Sequence, residues 1–172
     1  MAAEQPVVRA AAPADLRQIA AIYAHYVTTS VATFEEVPPT AAHWRRRFDD
    51  LAAQNLPFLA AEADAAVCGY AFASLWRPKP AYRHTVEDTV YVAPSCTGRG
   101  LGSALLGALL TACDLAGARQ VIAVIADTGS EASVTLHRRF GFAYAGRLCR
   151  VGYKHGRWID TVLMQRELGA DR

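Results

Sequence analysis

The segment Thr97-Gly98-Arg99-Gly100-Leu101-Gly102 constrains this chain most, because it lies between an apolar strand and an apolar helix. The strand reads Thr85 to Val92. The helix reads Leu101 to Ala116 and stops at Gly117. Glycines at every second position leave backbone N–H groups without a neighbouring Cβ, so a bulky anion can approach closely. A helix starting there adds unpaired N–H donors and the positive end of its dipole. Strand, turn and helix N-terminus together predict a pyrophosphate cradle. On its own the same pattern also fits an ordinary loop.

Three pyrophosphate bearers compete. No Gly-x-x-x-x-Gly-Lys-Ser/Thr occurs, which excludes a P-loop. A dinucleotide fold wants Gly-x-Gly-x-x-Gly near the first strand and an acidic residue ending the next one. Here the spacing is Gly-x-Gly-x-Gly, it lies past mid-chain, and no acid ends Val121–Ile125. Coenzyme A is the third bearer.

A length of 172 residues predicts one domain over 1–172, with its core at about 7–168. A net charge of +2 and no basic tract with interleaved aromatics argue against nucleic acid. Arg45-Arg46-Arg47, the only basic run, reads as a solvated helix face. Cys68, Cys96, Cys113 and Cys149 show no metal or redox spacing, so buried free thiols in a reducing cytoplasm are expected, with no metal. The start, Met1-Ala2-Ala3-Glu4-Gln5-Pro6, lacks the pattern of a signal peptide, and no apolar run suits a membrane span.

Periodicity supplies the remaining elements. Val7-Val8-Arg9 reads as a first strand. Pro13-Ala14-Asp15 opens a helix that carries Leu16, Ile19, Ala20, Tyr23 and Val27. Thr28–Pro39 reads as a loop, and Thr40 caps a second helix to about Ala53. Phe58–Ala61 and Val67–Phe72 read as strands turned at Asp64-Ala65, followed by a Pro-rich loop, Trp76 to Arg83. After strand Val121–Ile125, Ser130 or Ser133 begins a helix ending at Gly141. Tyr144–Gly152 and Trp158–Gln165 form a closing antiparallel pair turned at His155-Gly156. The order β-α-α-β-β-β-α-β-α-β-β is an α/β sheet of mixed direction.

That order, with the Gly-rich turn after the fourth strand, resembles the GNAT superfamily of N-acetyltransferases. The turn looks like its acetyl-CoA loop, with Thr97 in place of the usual Gln or Arg. Ser133-Val134-Thr135-Leu136-His137-Arg138-Arg139-Phe140-Gly141-Phe142 looks like its second cofactor segment, with Ser130 where an Asn is common. Three segments resemble the phosphinothricin and methionine sulfoximine N-acetyltransferases. They are Trp76-Arg77-Pro78, Thr85 to Val92, and Gly152-Tyr153-Lys154-His155-Gly156-Arg157-Trp158-Ile159-Asp160.

The resemblance implies a mixed, mostly antiparallel sheet flanked by helices and splayed between strands 4 and 5, with the cofactor arm in the gap. It assigns acetyl-CoA to Val90, Tyr91, Val92, Gly98, Arg99, Gly100, Leu101, Gly102, Ser103, Ser130, Ser133 and His137. The Val90 N–H would be the oxyanion donor. An α-amino group keeps its proton at neutral pH and needs a base. Glu87, three residues before Val90, is the candidate, against a surface salt bridge or strand-edge carboxylate. Asp88 points to the opposite face by alternation. His137 would protonate the leaving thiolate, hydrogen-bond the sulfur, or simply be satisfied by a neighbouring carbonyl.

For the acceptor, Arg77 offers a planar fork for a carboxylate, with Arg83 in reserve; solvated loop arginines are the plain alternative. Phe34 and Trp76 would wall the side chain or pack in the core. Glu35 would face the amine or cap the second helix. Lys154 and Arg157 would meet a sulfoximine or phosphinate oxygen, or form an exposed cationic hairpin. Trp158 reads as core or a dimer contact. Pro78, Lys79, Asp88 and Thr89 complete the expected acceptor surface. A homodimer is implied by the resemblance. Two rival readings stay open: an acetyltransferase for a peptide N-terminus or polyamine, and a non-catalytic acyl-CoA sensor. Detoxification with herbicide resistance and ordinary amino-acid metabolism are equally compatible with these residues.

Overall fold

The structure, a computed structural model, describes residues 6–169. Met1 to Gln5, where the leader expectation falls, lie outside the described residues. One seven-stranded sheet runs in the order β1-β2-β3-β4-β5-β7-β6. Its strands are β1 (Val7–Ala10), β2 (Phe58–Ala63), β3 (Ala66–Leu75), β4 (Thr85–Val92), β5 (Gln120–Ala126), β6 (Ala143–Lys154) and β7 (Arg157–Glu167). The helices are α1 (Leu16–Thr29), α2 (Ala41–Ala53), α3 (Leu101–Leu115) and α4 (Ala132–Arg139). All neighbouring strands pair antiparallel except β4 with β5.

Local chemistry accounts for the boundaries. The Thr40 hydroxyl accepts the His43 N–H and caps α2. Asp64 and Ala65 turn β2 into β3 at φ of 52° and 59°. α3 ends before Gly117, whose φ is 88°. α4 differs from expectation: it starts at Ala132 with Glu131 as its N-cap, so neither Ser130 nor Ser133 caps it. The Ser130 hydroxyl instead accepts the Ala132 N–H, holding the approach to the helix. A short 3-10 turn, Pro80–Tyr82, punctuates the Pro-rich loop.

β3 explains the two-faced sheet. Its residues alternate small and aromatic: Gly69, Tyr70, Ala71, Phe72, Ala73. The small ones let α3 lie close. A Cβ on Gly69 would come within 3.0 Å of Leu105 Cδ1. Leu101, Leu105, Leu106, Leu109, Leu110 and Cys113 bury one face of α3 against Ala71, Ala73, Val86, Val121 and Met164. Each fully buried leucine contributes about 1.5–3 kcal/mol. The aromatic side of β3 meets α1 and α2, where Ile19, Ile22, Trp44, Leu51, Phe58, Tyr70 and Phe72 form a second core.

Three of the four thiols are buried as expected, but Cys149 is exposed, because it lies on the edge strand β6. Cys68 on β3 and Cys96 before the Gly-rich turn place their sulfurs 2.6 Å apart, a contact their sequence spacing gives no sign of.

Candidate active site

The parallel ladder between β4 and β5 is short. Thr85 pairs with Gln120, Val86 with Val121 and Glu87 with Ile122, and the strands then part. β4 continues to Val92 and β5 to Ala126 with no pairing between them, so backbone groups on both strands face a gap. This is the splay expected between strands 4 and 5. A cleft of about 650 Å³ occupies it, lined by Thr89 to Val92, Ala123 to Ala126, Gly102, Ser130, Ser133, Leu136 and His137. The cleft continues past Glu87 and Asp88 to Tyr23, Tyr26, Thr33, Phe34, Trp44, Arg47, Tyr70 and Phe72.

The Gly-rich turn stands at the foot of the gap. Gly98 and Gly100 have φ of 77° and 78°, and no heavy atom lies within 4 Å of where a Cβ would be. Gly100 is the N-cap of α3 and supplies no side-chain acceptor, so the first N–H groups of the helix stay available. Leu101 anchors that end in the core, with Ser103 half-buried behind it. Arg99 makes only a long, 3.7 Å contact with exposed Asp64. At the same, C-terminal end of β4, the Tyr26 hydroxyl donates to the Val92 carbonyl at 2.6 Å and ties α1 to the strand.

Glu87 and Asp88 face opposite sides of β4. Glu87 is opposite Ser74 on the α1/α2 side, in line with Phe72–Thr89 and Tyr70–Tyr91. It is half-buried, and burial raises its pKa above 4.5; the Asp88 charge adds to the rise, while Arg77 opposes it. Glu87 has no salt bridge among the described residues.

Asp88 lies on the α3/α4 side, buried, with Oδ2 2.9 Å from His137 Nε2. His137 Nδ1 is 2.7 Å from the Ser133 carbonyl, one helical turn back. A carbonyl and a carboxylate at the two nitrogens call for a proton on each. Burial alone would lower the imidazole pKa, yet the bond and charge of Asp88, with the Ser133 carbonyl, raise it on balance. Asp88 Oδ1 is buried without a partner.

The expected acceptor residues divide. Phe34, Glu87, Asp88 and Thr89 line the cleft. The Phe34 ring packs where a Cβ on Gly152 would sit, so that glycine leaves room for it. Trp76, Arg77 and Pro78 line an adjoining groove of about 540 Å³, which shares Arg47, Phe72 and Ser74 with the cleft. Arg77 stacks on Trp76, its Cζ 4.6 Å from the ring centroid. Lys79, Arg83 and Glu35 are exposed; Arg83 folds back onto the Pro80 carbonyl at 3.3 Å. Lys154 is buried rather than part of an exposed cationic hairpin, donating to the Thr33 carbonyl at 2.8 Å. Burial pulls its pKa down, opposed by Glu36 and Glu35. Arg157 is exposed. Trp158 is 54% exposed, which removes it from the core.

Arg47 and the aromatics Tyr23, Tyr26, Trp44 and Tyr70 were not among the expected site residues. The signal for Arg47 was present: it follows buried Trp44 by three positions and precedes buried Leu51 by four, which places it on the inward face of α2.

Residues 8–163 match the model of the acetyltransferase (GNAT) domain. The chain is 50% identical over 163 residues to the phosphinothricin N-acetyltransferase of Alcaligenes faecalis, covering 95% of this chain and 83% of that protein. It is 41% identical over 166 residues to the L-methionine sulfoximine/L-methionine sulfone acetyltransferase of Pseudomonas aeruginosa, covering 96% of each. A crystal structure of a GNAT superfamily phosphinothricin acetyltransferase from Sinorhizobium meliloti in complex with AcCoA superposes with a TM-score of 0.92. The two share 44% identity over 96% of this chain and 90% of that one.

Proposed function

The chain belongs to the GNAT acetyltransferase family, and we propose that it transfers the acetyl group of acetyl-CoA to the α-amino group of a small amino acid such as phosphinothricin, methionine sulfoximine or methionine sulfone. The observation that carries this reading is the position of Glu87, at the last rung before β4 and β5 part. The unpaired stretch from Asp88 to Val92 gives the pantetheine arm a strand to pair with, and the Gly98–Gly102 turn with Ser103, Ser130 and Ser133 takes the phosphates and adjacent groups. The acceptor amine then lies beside Glu87.

Glu87 removes a proton from the ammonium. The free amine attacks the thioester carbonyl, whose oxygen gathers charge opposite the Val90 N–H. The C–S bond breaks as the carbonyl re-forms, the nitrogen releases its second proton to water, and the thiolate takes a proton from water, so that one proton is exchanged through solvent. His137, engaged at both nitrogens, holds α4 to β4 instead of delivering that proton. Arg77 takes the acceptor carboxylate, and its pull on Glu87 supports that proximity. Phe34 walls the side chain; Trp76 and Pro78 shape the approach, with Lys79 and Arg83 outside it.

Exposed Tyr144, Leu148, Val151, Tyr153 and Trp158 on the β6–β7 edge support a homodimer through that face. A monomer by light scattering at micromolar concentration would refute it. Among the described residues no helix is long and apolar enough to cross a membrane, and the four free cysteines fit a reducing cytoplasm.

Thiol release from acetyl-CoA, measured with phosphinothricin, methionine sulfoximine, methionine sulfone, spermidine and an alanine-terminated peptide, tests the function. Selective turnover of the first three is expected. Faster turnover of spermidine or the peptide, or CoA binding without any turnover, overturns the reading.

A further inference from the structure

On the α1/α2 face of the sheet, one arginine lines the acceptor end of the cleft without a carboxylate of its own. Of the three arginines on α2, Arg45 pairs with Asp49 at 3.0 Å on the outside, and Arg46 is exposed. Arg47 turns inward. Its Cζ is 5.1 Å from the Phe72 ring centroid and 5.5 Å from that of Trp44, and its Nη2 is 3.2 Å from His43 Nε2. Aromatic faces on two sides fix the guanidinium, which is half-buried. Among the described residues it has no ion pair. The Tyr70 hydroxyl and the Trp44 indole N–H of the same aromatic wall are also buried without an acceptor. Around Arg47 this end of the cleft therefore holds several donors that no protein acceptor answers.

Register sets its distance from the chemistry. Phe72, beneath Arg47, is opposite Thr89, and Ser74 is opposite Glu87. Phe72 and Ser74 are successive same-face residues, separated by about 6–7 Å along the strand. Arg47 and Arg77 both border the groove that contains Ser74, so two guanidiniums flank the amine position. An acceptor suited to both carries two anionic groups: an α-carboxylate, and an oxyanion at the end of a short side chain.

We propose that Arg47 is the specificity residue that seats this second oxyanion, so that the protein prefers amino acids whose side chain ends in an anionic group. This rests on the amino-acid acetyltransferase reading above. Phosphinothricin fits, since its phosphinate lies two methylenes from the α-carbon. Methionine sulfone has the same backbone and reach but a neutral side-chain end. Among the described residues no protein carboxylate pairs with Arg47, and its bond is strongest to an acceptor end that is itself charged.

Steady-state kinetics of wild type, Arg47→Met and Arg47→Lys with phosphinothricin and with methionine sulfone test this, with thermal melts confirming folding. Arg47→Met should lower kcat/KM for phosphinothricin by about 10–150-fold, the equivalent of about 1.5–3 kcal/mol for a charged hydrogen bond. The sulfone, whose neutral oxygens accept from the guanidinium more weakly, should lose clearly less, by no more than about tenfold and at least several-fold less than phosphinothricin loses. KM for acetyl-CoA should stay constant, and Arg47→Lys should recover part of the loss. Equal losses for both acceptors, or none for phosphinothricin, overturn the proposal. If wild type acetylates neither acceptor, the functional reading falls on its own. Calorimetric titration of phosphinothricin into wild type and Arg47→Met, each saturated with CoA, then decides the role of Arg47. Weaker binding by the variant upholds it, and equal or undetectable binding by both overturns it.

Discussion

Glu87 and Asp88 are adjacent in the chain, yet they occupy two different solvents. Asp88 is directed into the aliphatic layer under α3 and α4, where His137 answers its charge and the Ser133 carbonyl completes the ring. Glu87 is directed into the aromatic layer under α1 and α2, where no cation among the described residues pairs with it directly and burial raises its pKa. One carboxylate is held by a direct ion pair through Oδ2, and the other has no ion pair among the described residues. Strand alternation alone separates them. A single strand can therefore hold a brace on one face and the proposed base on the other without either perturbing the other's packing.

Removing the brace is the strongest way to break this contrast. Asp88→Ala leaves the buried imidazole without its counter-charge and should cost about 3–5 kcal/mol, lowering Tm by on the order of 10 °C in a thermal melt. A loss below about 1 kcal/mol would mean that the pair holds nothing. The reactive side should behave in the opposite way. Glu87→Gln should reduce kcat by about 10²-fold or more in single-turnover acetylation, while Tm moves by no more than about 2 °C, the range of a mutation that breaks no packing. An unchanged rate removes Glu87 from the base role.

pH sharpens the distinction. The limb of kcat/KM that rises with pH should lie above 4.5, because Glu87 must ionise and its pKa is raised, and Glu87→Gln should abolish it. His137 affects stability instead. Its pKa is raised in the folded state, so its stabilisation is fully present below 6.5 and is lost as pH rises through the folded value. Denaturant titrations should show that loss in wild type and not in His137→Ala. The smallest effect belongs to the outer face of α2: Arg45→Ala, breaking an exposed pair with Asp49, should shift stability by no more than about 0.5 kcal/mol.

Much of this was legible before any coordinates. β4 begins and ends where its apolar pattern does, Thr40 caps α2, and Gly117 stops α3, since each depends on the chemistry of a few neighbouring residues. The splay followed from family resemblance, not from pattern, because it depends on where pairing between strands distant in sequence stops. The hidden features all involve partners far apart in the chain. Asp88 meets His137 across 49 positions, and Lys154 meets Thr33 across 121. Arg47 was obscured by Arg45 and Arg46: three like charges in a row read as a solvated face, although helical geometry turns only the third inward.

Because β4 and β5 share only three rungs, an acyl donor seated in the gap, as proposed above, would complete the sheet as an added strand. Fold and metabolite are then linked by mass action. At a donor concentration a hundredfold above its Kd, the native state gains about 2.7 kcal/mol over the unfolded chain. That is enough to change how long a marginally stable protein survives proteolysis. A cell short of acyl donor would thus hold fewer molecules of this protein as well as slower ones, tying its abundance to the supply it consumes.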